Sequence, residues 1–354
     1  MTAPALVVRL DSDGDVLLAG PAVRAVARRR PVDLLVSGDG LQAARLLPGV
    51  RDVLRFDAPW AGVRPPTVDP AAVDALVAEL AARRYAVGLV LTSFHQSPLP
   101  TALLLRLAGV GRVVATSEDY PGSLLDVRHP RPEGAHEVEA MLSVAGAAGF
   151  PADDDPRLAL AGPLPEVGDL APDGPYVVVH PSAAVPARAP SAAAAGEVVA
   201  ALARRGRTVV VTGGPGDAAL TRAVRAAAGA GPRVVDRGGR TTYPELAALL
   251  ARASCVVAGN TGPAHLAAAV GTPVVSLFAP VVPWERWRPW GVPCERLGDQ
   301  HAACRGTRAR TCPVAGHPCL DGVAPGDVAD AVDRLAGPPP AATTAPSTLP
   351  VVTA

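Results

Sequence analysis

The 354-residue sequence contains no lysine, so all 33 of its basic residues are arginine. Any role that needs a cation falls to a guanidinium, which stays charged and can fork onto a phosphate or carboxylate. Aromatic residues are scarce, 3% against 49% apolar residues overall. That balance suits parallel sheets covered by small-residue helices and argues against an all-β protein. Net charge is missing too, with 33 basic and 33 acidic residues, so no basic field points to nucleic acid or to an anionic membrane surface. The five cysteines are odd in number and four of them follow residue 290. They do not form the spread framework of a small secreted domain.

Residues 253–284 lack Asp, Glu and Arg, but Asn260, Gly262, Pro263, Gly271 and Pro273 interrupt the run too often for a membrane span. The opening MTAPALVVRLDSDGD enters a strand directly, without a basic region and a long apolar core behind it, so no secretory signal is read and a soluble, cytoplasmic protein is expected. The length allows two domains, each with its own core.

What is present is an alternation of short apolar strands and small-residue helices. Strands are expected over 5–10, 32–37, 53–56, 86–92 and 112–115, with helices over 15–29, 41–47, 70–83, 98–108 and 136–149. A second series has strands over 176–180, 208–212, 234–236, 255–258 and 274–278, with helices over 192–204, 217–228, 244–251, 264–270 and 325–335. The fold class is therefore α/β, two doubly wound domains facing a central cleft. The expected boundaries are 1–160 for the first, 161–174 for a linker, 175–336 for the second, and 337–354 for a disordered Pro-, Ala- and Thr-rich tail.

The most informative stretch is 256–280, VVAGNTGPAHLAAAVGTPVVSLFAP. It reads as a βαβ unit in which Asn260 and Thr261 are capping residue types, Gly271 ends the helix and Pro273 opens the next strand. A helix N-terminus just beyond the carboxyl end of a parallel strand favours an anion such as a phosphate.

Other candidates have two readings each. DSDGD at 11–15 places three carboxylates after the first strand, where one can act as a general base or all can serve a solvated capping turn. Arg188, on the loop after His180, Pro181 and Ser182, can clamp a diphosphate or sit on the surface. Asp217, after Gly213, Gly214 and Gly216, can accept from ribose hydroxyls or cap a helix in a tight turn. Cys304, Cys312 and Cys319, with His301 and His317, raise the possibility of zinc, but seven and six intervening residues between the cysteines lack the CxxC pairs of structural sites. Trp284, Trp287 and Trp290 read as loop packing more than base stacking.

Four segments in order then carry a resemblance: RLDSDGDVLLAGPAV, HPSAAVPARAPS, GGRTTYPELAALLARASCVV and GNTGPAHLAAAVGTPVVSLFAP. Together they resemble glycosyltransferase family 9, the ADP-heptose:lipopolysaccharide heptosyltransferases, over about residues 5–335. The resemblance implies a GT-B fold, with an acceptor-binding first domain and a nucleotide-sugar-binding second domain. It implies an inverting, metal-independent glycosyltransferase that needs no cofactor, the nucleotide sugar being a substrate. Its partners would be a nucleotide-sugar donor and a glycan or glycolipid acceptor such as a lipopolysaccharide core, with peripheral contact at the inner face of the plasma membrane. Asp15 matches the catalytic base; Arg188, Asn260, Thr261, Gly262 and His265 match donor-binding positions, and Asp217 a ribose-binding acid. Asn260 stands where many members have Asp, Ser182 replaces a Gly, and Leu18 stands where a His is frequent. The alternatives are a GT-B nucleotide-sugar 2-epimerase and a non-catalytic nucleotide-sugar-binding protein.

Overall fold

The computed structural model describes residues 2–152, 155–229 and 231–338. From residue 339 the expected tail lies outside the described residues. In the first half, β1 (Ala5–Arg9) leads into α1 (Asp13–Ala27), then β2 (Val32–Val36), α2 (Leu41–Ala44), β3 (Val50–Arg55) and α3 (Pro70–Arg83). β4 (Val87–Val90), α4 (Leu99–Leu107), β5 (Val113–Thr116), β6 (Val127–His129) and α5 (Glu137–Ala147) complete it. The second half runs β7 (Tyr176–His180), α6 (Ala192–Arg204), β8 (Thr208–Val211), α7 (Ala218–Ala227), β9 (Val234–Asp236) and α8 (Tyr243–Ala251). It continues with β10 (Cys255–Gly259), α9 (Gly262–Ala269), β11 (Val274–Leu277), α10 (Trp284–Trp287), β12 (Cys294–Leu297), α11 (Pro318–Asp321) and α12 (Pro325–Ala336).

The two sheets repeat one topology. The first has the order β3-β2-β1-β4-β5-β6 and the second β12-β11-β10-β7-β8-β9, with every pairing parallel. Strand order reverses between β1 and β4 in one sheet and between β7 and β10 in the other. In such sheets the loops after the central strands diverge to opposite faces and open a crevice for a ligand. Ala5 is in register with both Val32 and Val87, and Val257 with both Val275 and Val179. The central strands are buried on both faces, which is why they read as continuous Val, Leu and Ala runs instead of alternating ones.

One apolar core crosses both halves. Val16, Leu17 and Val23 of α1 and Val138 and Met141 of α5 belong to the same cluster as Leu246 and Leu249 of α8 and Leu266 of α9. Small side chains let these helices approach closely. A Cβ on Gly196 of α6 would lie 2.4 Å from the Cβ of Ala227 of α7. The first half has a further cluster on its outer face, the second half another, and α12 packs Val328 and Val332 into the latter.

The residues between the halves pack back onto them. Arg24 Nη2 donates to the carbonyl of Arg157 at 2.6 Å, the Trp290 indole to that of Pro156 at 2.9 Å, and the Ala161 N–H to that of Leu46 at 2.7 Å. Two edge strands escaped the sequence reading. β6 is VRH and β12 is CERL, short, charged and half-buried, the character that protects an edge from pairing with another chain and removes the apolar signal of a strand.

Candidate functional site

The two crevices face one another across a cleft of about 810 Å3 lined by both halves. The helices that follow the two central strands meet there. A Cβ on Gly14 of α1 would lie 3.0 Å from the Gly262 Cα and 3.1 Å from the His265 ring of α9. Glycine at 14 thus lets one helix N-terminus sit against the other and brings Asp15 beside the 260–265 turn.

The three carboxylates of DSDGD divide their work. Asp13 accepts from the Ala43 N–H at 2.8 Å, and burial pushes its carboxyl up to about 6. Asp11 accepts from Gln96 Nε2 at 2.7 Å and pairs with Arg9 at 3.1 Å; burial raises it as well. Asp15 lies in the first turn of α1, with Oδ2 accepting from Ser12 Oγ at 2.8 Å and Oδ1 from Arg9 Nη2 at 3.1 Å. Its side chain is 20% exposed against 12% for Asp11, so Asp15 is the carboxylate of this ion-paired couple that a ligand reaches more readily. A carboxylate at a helix N-terminus, oriented by a hydroxyl and a guanidinium, can accept a proton from a bound hydroxyl.

On the other wall, Thr261 caps α9 without a side-chain cap bond; Pro263 has no N–H and the Ala264 N–H donates to the Thr261 carbonyl at 3.0 Å, so the Gly262 N–H is the donor that this helix start can present. Asn260, the one asparagine of the sequence, is buried, and neither its Oδ1 nor its Nδ2 has a partner among the described residues. Burial of an unsatisfied amide costs about 1–3 kcal/mol, which a polar ligand in the cleft would relieve. His265 is buried, its Nδ1 has no partner among the described residues, and burial holds its imidazole down at about 4, so it is neutral at pH 7.

Arg188 ends a 3-10 turn, Pro186–Arg188, and lines the same cleft. Its Nε has no partner among the described residues, and burial lowers the guanidinium from its ordinary value. Gly259 makes this placement possible, since a Cβ there would lie 2.4 Å from the Arg188 carbonyl oxygen. Gly259→Ala is expected to destabilise the chain by about 1–3 kcal/mol, as overpacking does, and to shift the Arg188 turn. Denaturant unfolding measures the first effect, and an unchanged midpoint would show that the turn yields freely.

The structure adds residues that the sequence did not single out. The 299–317 loop is tied to the Arg188 turn: the Ala187 N–H donates to the Arg310 carbonyl at 3.0 Å, and His317 Nε2 lies 3.2 Å from the Ala187 oxygen. It carries Arg308 and Arg310 to the cleft wall beside Arg188. Arg308 adopts φ 57°, a left-handed conformation uncommon for a side chain of its size. Facing them from the first half is His95, which burial holds down at about 4. Tyr243, whose buried hydroxyl has no partner among the described residues, also lines the cleft. No local pattern marks His95, Arg308 and Arg310, because each reaches the cleft through loop placement, while Tyr243 reaches it from the first position of α8.

The tryptophans join the halves. Trp290 stacks on His136 with ring centroids 4.5 Å apart, and His136 Nε2 lies 2.9 Å from the Arg288 carbonyl oxygen. Arg286 covers the Phe94 ring at 4.7 Å, and Trp287 lines the cleft. Packing, as the sequence suggested, accounts for Trp290 and for Trp284, which meets Phe278 edge-on at 5.0 Å.

Asp217 is not brought to this cleft. Its Oδ2 accepts from Ser182 Oγ at 2.6 Å and from the Gly214 N–H at 2.8 Å, holding the glycine turn together. Cys304 and Cys319 are buried in the outer core of the second half, and the Cys312 thiol lies 3.4 Å from the Val314 carbonyl oxygen. Among the described residues, no three His, Cys, Asp or Glu side chains are grouped to hold a metal ion.

Residues 73–317 match the family model of glycosyltransferase family 9 (heptosyltransferase). The chain belongs to glycosyltransferase family 9. Within the family it is 39% identical over 116 residues to lipopolysaccharide heptosyltransferase 3 of Escherichia coli; the match takes in 32% of this chain and 34% of that one, about a third of the relative's length. The solved ADP-heptose lipopolysaccharide heptosyltransferase II of E. coli superposes with a TM-score of 0.73 at 18% identity, over 94% of this family 9 chain and 98% of that one. An E. coli heptosyltransferase solved with ADP gives a TM-score of 0.66 at 19% identity, over 83% and 93%. These likenesses establish the GT-B fold for the family 9 chain, with its two sheets as the two lobes. Among its described residues no helix is long and apolar enough to cross a membrane.

Proposed function

We propose that this chain is an inverting, metal-independent glycosyltransferase that moves heptose from ADP-heptose to a glycan or glycolipid acceptor of the lipopolysaccharide core. The carrying observation is the Gly14–Gly262 contact, which sets a carboxylate on one helix start opposite an anion site on the other, within one cleft. Its relatives, a lipopolysaccharide heptosyltransferase and a heptosyltransferase solved with ADP, support the choice of donor and acceptor.

In this reading the acceptor hydroxyl lies against Asp15, and its oxygen attacks the anomeric carbon on the face opposite the diphosphate. The C–O bond to the acceptor forms as the bond to the diphosphate breaks, and the hydroxyl proton passes to Asp15. One displacement inverts the anomeric centre. Negative charge grows on the leaving diphosphate, where the α9 N-terminus with Thr261 and Gly262, and Arg188 beside Arg308 and Arg310, stabilise it more strongly in the transition state than in the ground state. Guanidinium groups take the part that a divalent cation plays elsewhere. Asn260 and neutral His265 supply hydrogen bonds to the donor. Asp217, tied up in its own turn, takes no part in this reading. The lipid-linked acceptor would bring the protein to the inner face of the membrane.

A ligand that binds the native state raises its stability by RT ln(1 + [L]/Kd), about 2.7 kcal/mol at a hundredfold excess over Kd. ADP is therefore expected to raise Tm by several degrees, and GDP and UDP by less. ADP-heptose with a heptose-accepting core oligosaccharide is expected to release ADP and give a product of inverted anomeric configuration, read by NMR. Conversion of a nucleotide sugar without any acceptor would favour the epimerase, and binding without turnover the binding protein. No shift with any nucleotide would overturn the donor site.

A further inference from the structure

Glu137 is a buried charge that the transfer described above leaves unused. It opens α5, has no exposed surface, and is held between two guanidinium groups. Its Oε1 accepts from Arg131 Nη2 at 2.5 Å, while Oε2 lies 3.9 Å from Arg9 Nη2. That same Arg9 nitrogen reaches Asp15 Oδ1 at 3.1 Å and Ser93 Oγ at 2.8 Å, and Arg9 Nε pairs with Asp11 at 3.1 Å. Arg9 is itself entirely buried. Asp11, Asp15 and Glu137 thus crowd Arg9, and Glu137 also pairs with Arg131, three carboxylates to two guanidinium groups, with Arg286 of α10 adding a positive field at Arg131.

Burying an excess charge is expensive, and a cluster in that state gains by taking up one proton. The transfer reaction delivers one. As the acceptor O–H bond breaks, its proton passes to Asp15 and lowers the negative charge crowded around Arg9.

We propose that Glu137 is a positioning residue for the transfer, whose carboxylate competes with Asp15 for Arg9 and so leaves Asp15 a stronger acceptor for the substrate proton. This rests on the transferase reading above. Burial pushes the Glu137 carboxyl up to about 7, against the opposing pull of Arg9 and Arg131, so the competing charge is gained across neutral pH.

The test is kcat/KM against pH, from 5 to 9, for the native chain and for Glu137→Gln, with ADP-heptose and a core oligosaccharide acceptor. The native profile is expected to keep rising through about pH 7. In Glu137→Gln that rise is expected to vanish, the acid limb to move to lower pH, and kcat to fall by about three- to tenfold, with the ADP-induced Tm shift retained. Stability provides a second readout. A carboxyl raised from its ordinary 4.5 to about 7 contributes stability below 4.5 that is lost as pH climbs to 7. The native Tm should therefore fall relative to that of the variant between pH 5 and 7 and level off above. If the variant does not fold, the native profile decides alone. A native profile already flat above pH 6, or a folded variant with the native limb and kcat, would overturn the inference while leaving the transferase reading intact. No turnover by the native chain would overturn both.

Discussion

Asp15→Asn is expected to lower kcat by about 10²–10⁴-fold, the usual contribution of a general base, while the Tm shift caused by ADP survives. The amide keeps the shape of the side chain: its oxygen can still accept from Arg9 and its NH2 can donate to the Ser12 hydroxyl oxygen, so the α1 N-terminus holds its geometry. What it cannot do is retain the acceptor's proton. The geometry separates this effect from donor binding, because the proposed anion site belongs to α9 and the Arg188 turn on the opposite wall. Asp11→Asn and Asp13→Asn would not reproduce it, since those carboxylates serve Gln96 and Arg9, and the Ala43 N–H. Single-turnover kinetics with ADP release as the readout makes the comparison. Turnover of Asp15→Asn within threefold of native would remove the base assignment.

Arg188→Gln is expected to reduce kcat/KM by about 10²–10³-fold, the scale seen when a preorganised transition-state donor is removed, and to weaken the Tm shift with ADP. If Arg188 bound the ground state and the transition state equally, KM would rise with kcat unchanged; stabilisation of the departing diphosphate requires kcat to fall as well. The same variant should fold at least as stably as the native chain. The guanidinium is buried without a partner for Nε among the described residues, and burial opposes its charged form, so removing it relieves a desolvation cost. Loss of catalysis together with an unchanged or higher Tm is the signature of a residue held in place for a ligand. A lowered Tm with kcat intact would mark Arg188 as structural. Lysine is no conservative replacement here, because a point charge lacks the planar fork that spans two phosphate oxygens.

How far the site was legible in the sequence depended on how each residue reaches it. Asp15, Asn260, Thr261, Gly262 and His265 sit at fixed offsets from an apolar strand, and the strand–turn–helix pattern alone places them at a carboxyl edge. Arg188 was legible for the same reason, one loop beyond β7. Asp217 shares that pattern, yet Ser182 and the Gly214 N–H bind its carboxylate, and no local signal forecasts such a contact across 35 residues. Arg308 and Arg310 stand in a stretch of Arg, Ala and Thr without periodicity; they become cleft residues through hydrogen bonds to the Arg188 turn. Glu137 reads as an ordinary helix-start carboxylate, and its proximity to Arg9 crosses 128 positions of sequence.

The unbroken Val, Leu and Ala strands alternating with small-residue helices were sufficient to determine the α/β class, the repeated halves and the strand–turn–helix unit around 259–262. These depend on hydrogen bonding, side-chain period and burial within a few residues of one another. The tertiary structure decided how the three neighbouring carboxylates that line the cleft divide their partners, and which arginines join Arg188. It also decided that Arg9 and Glu137 share one buried cluster. Those outcomes follow from the approach of two helix starts at Gly14 and Gly262 and from the low-dielectric space it creates. Charges far apart in sequence interact there through distance and desolvation, which no local pattern encodes.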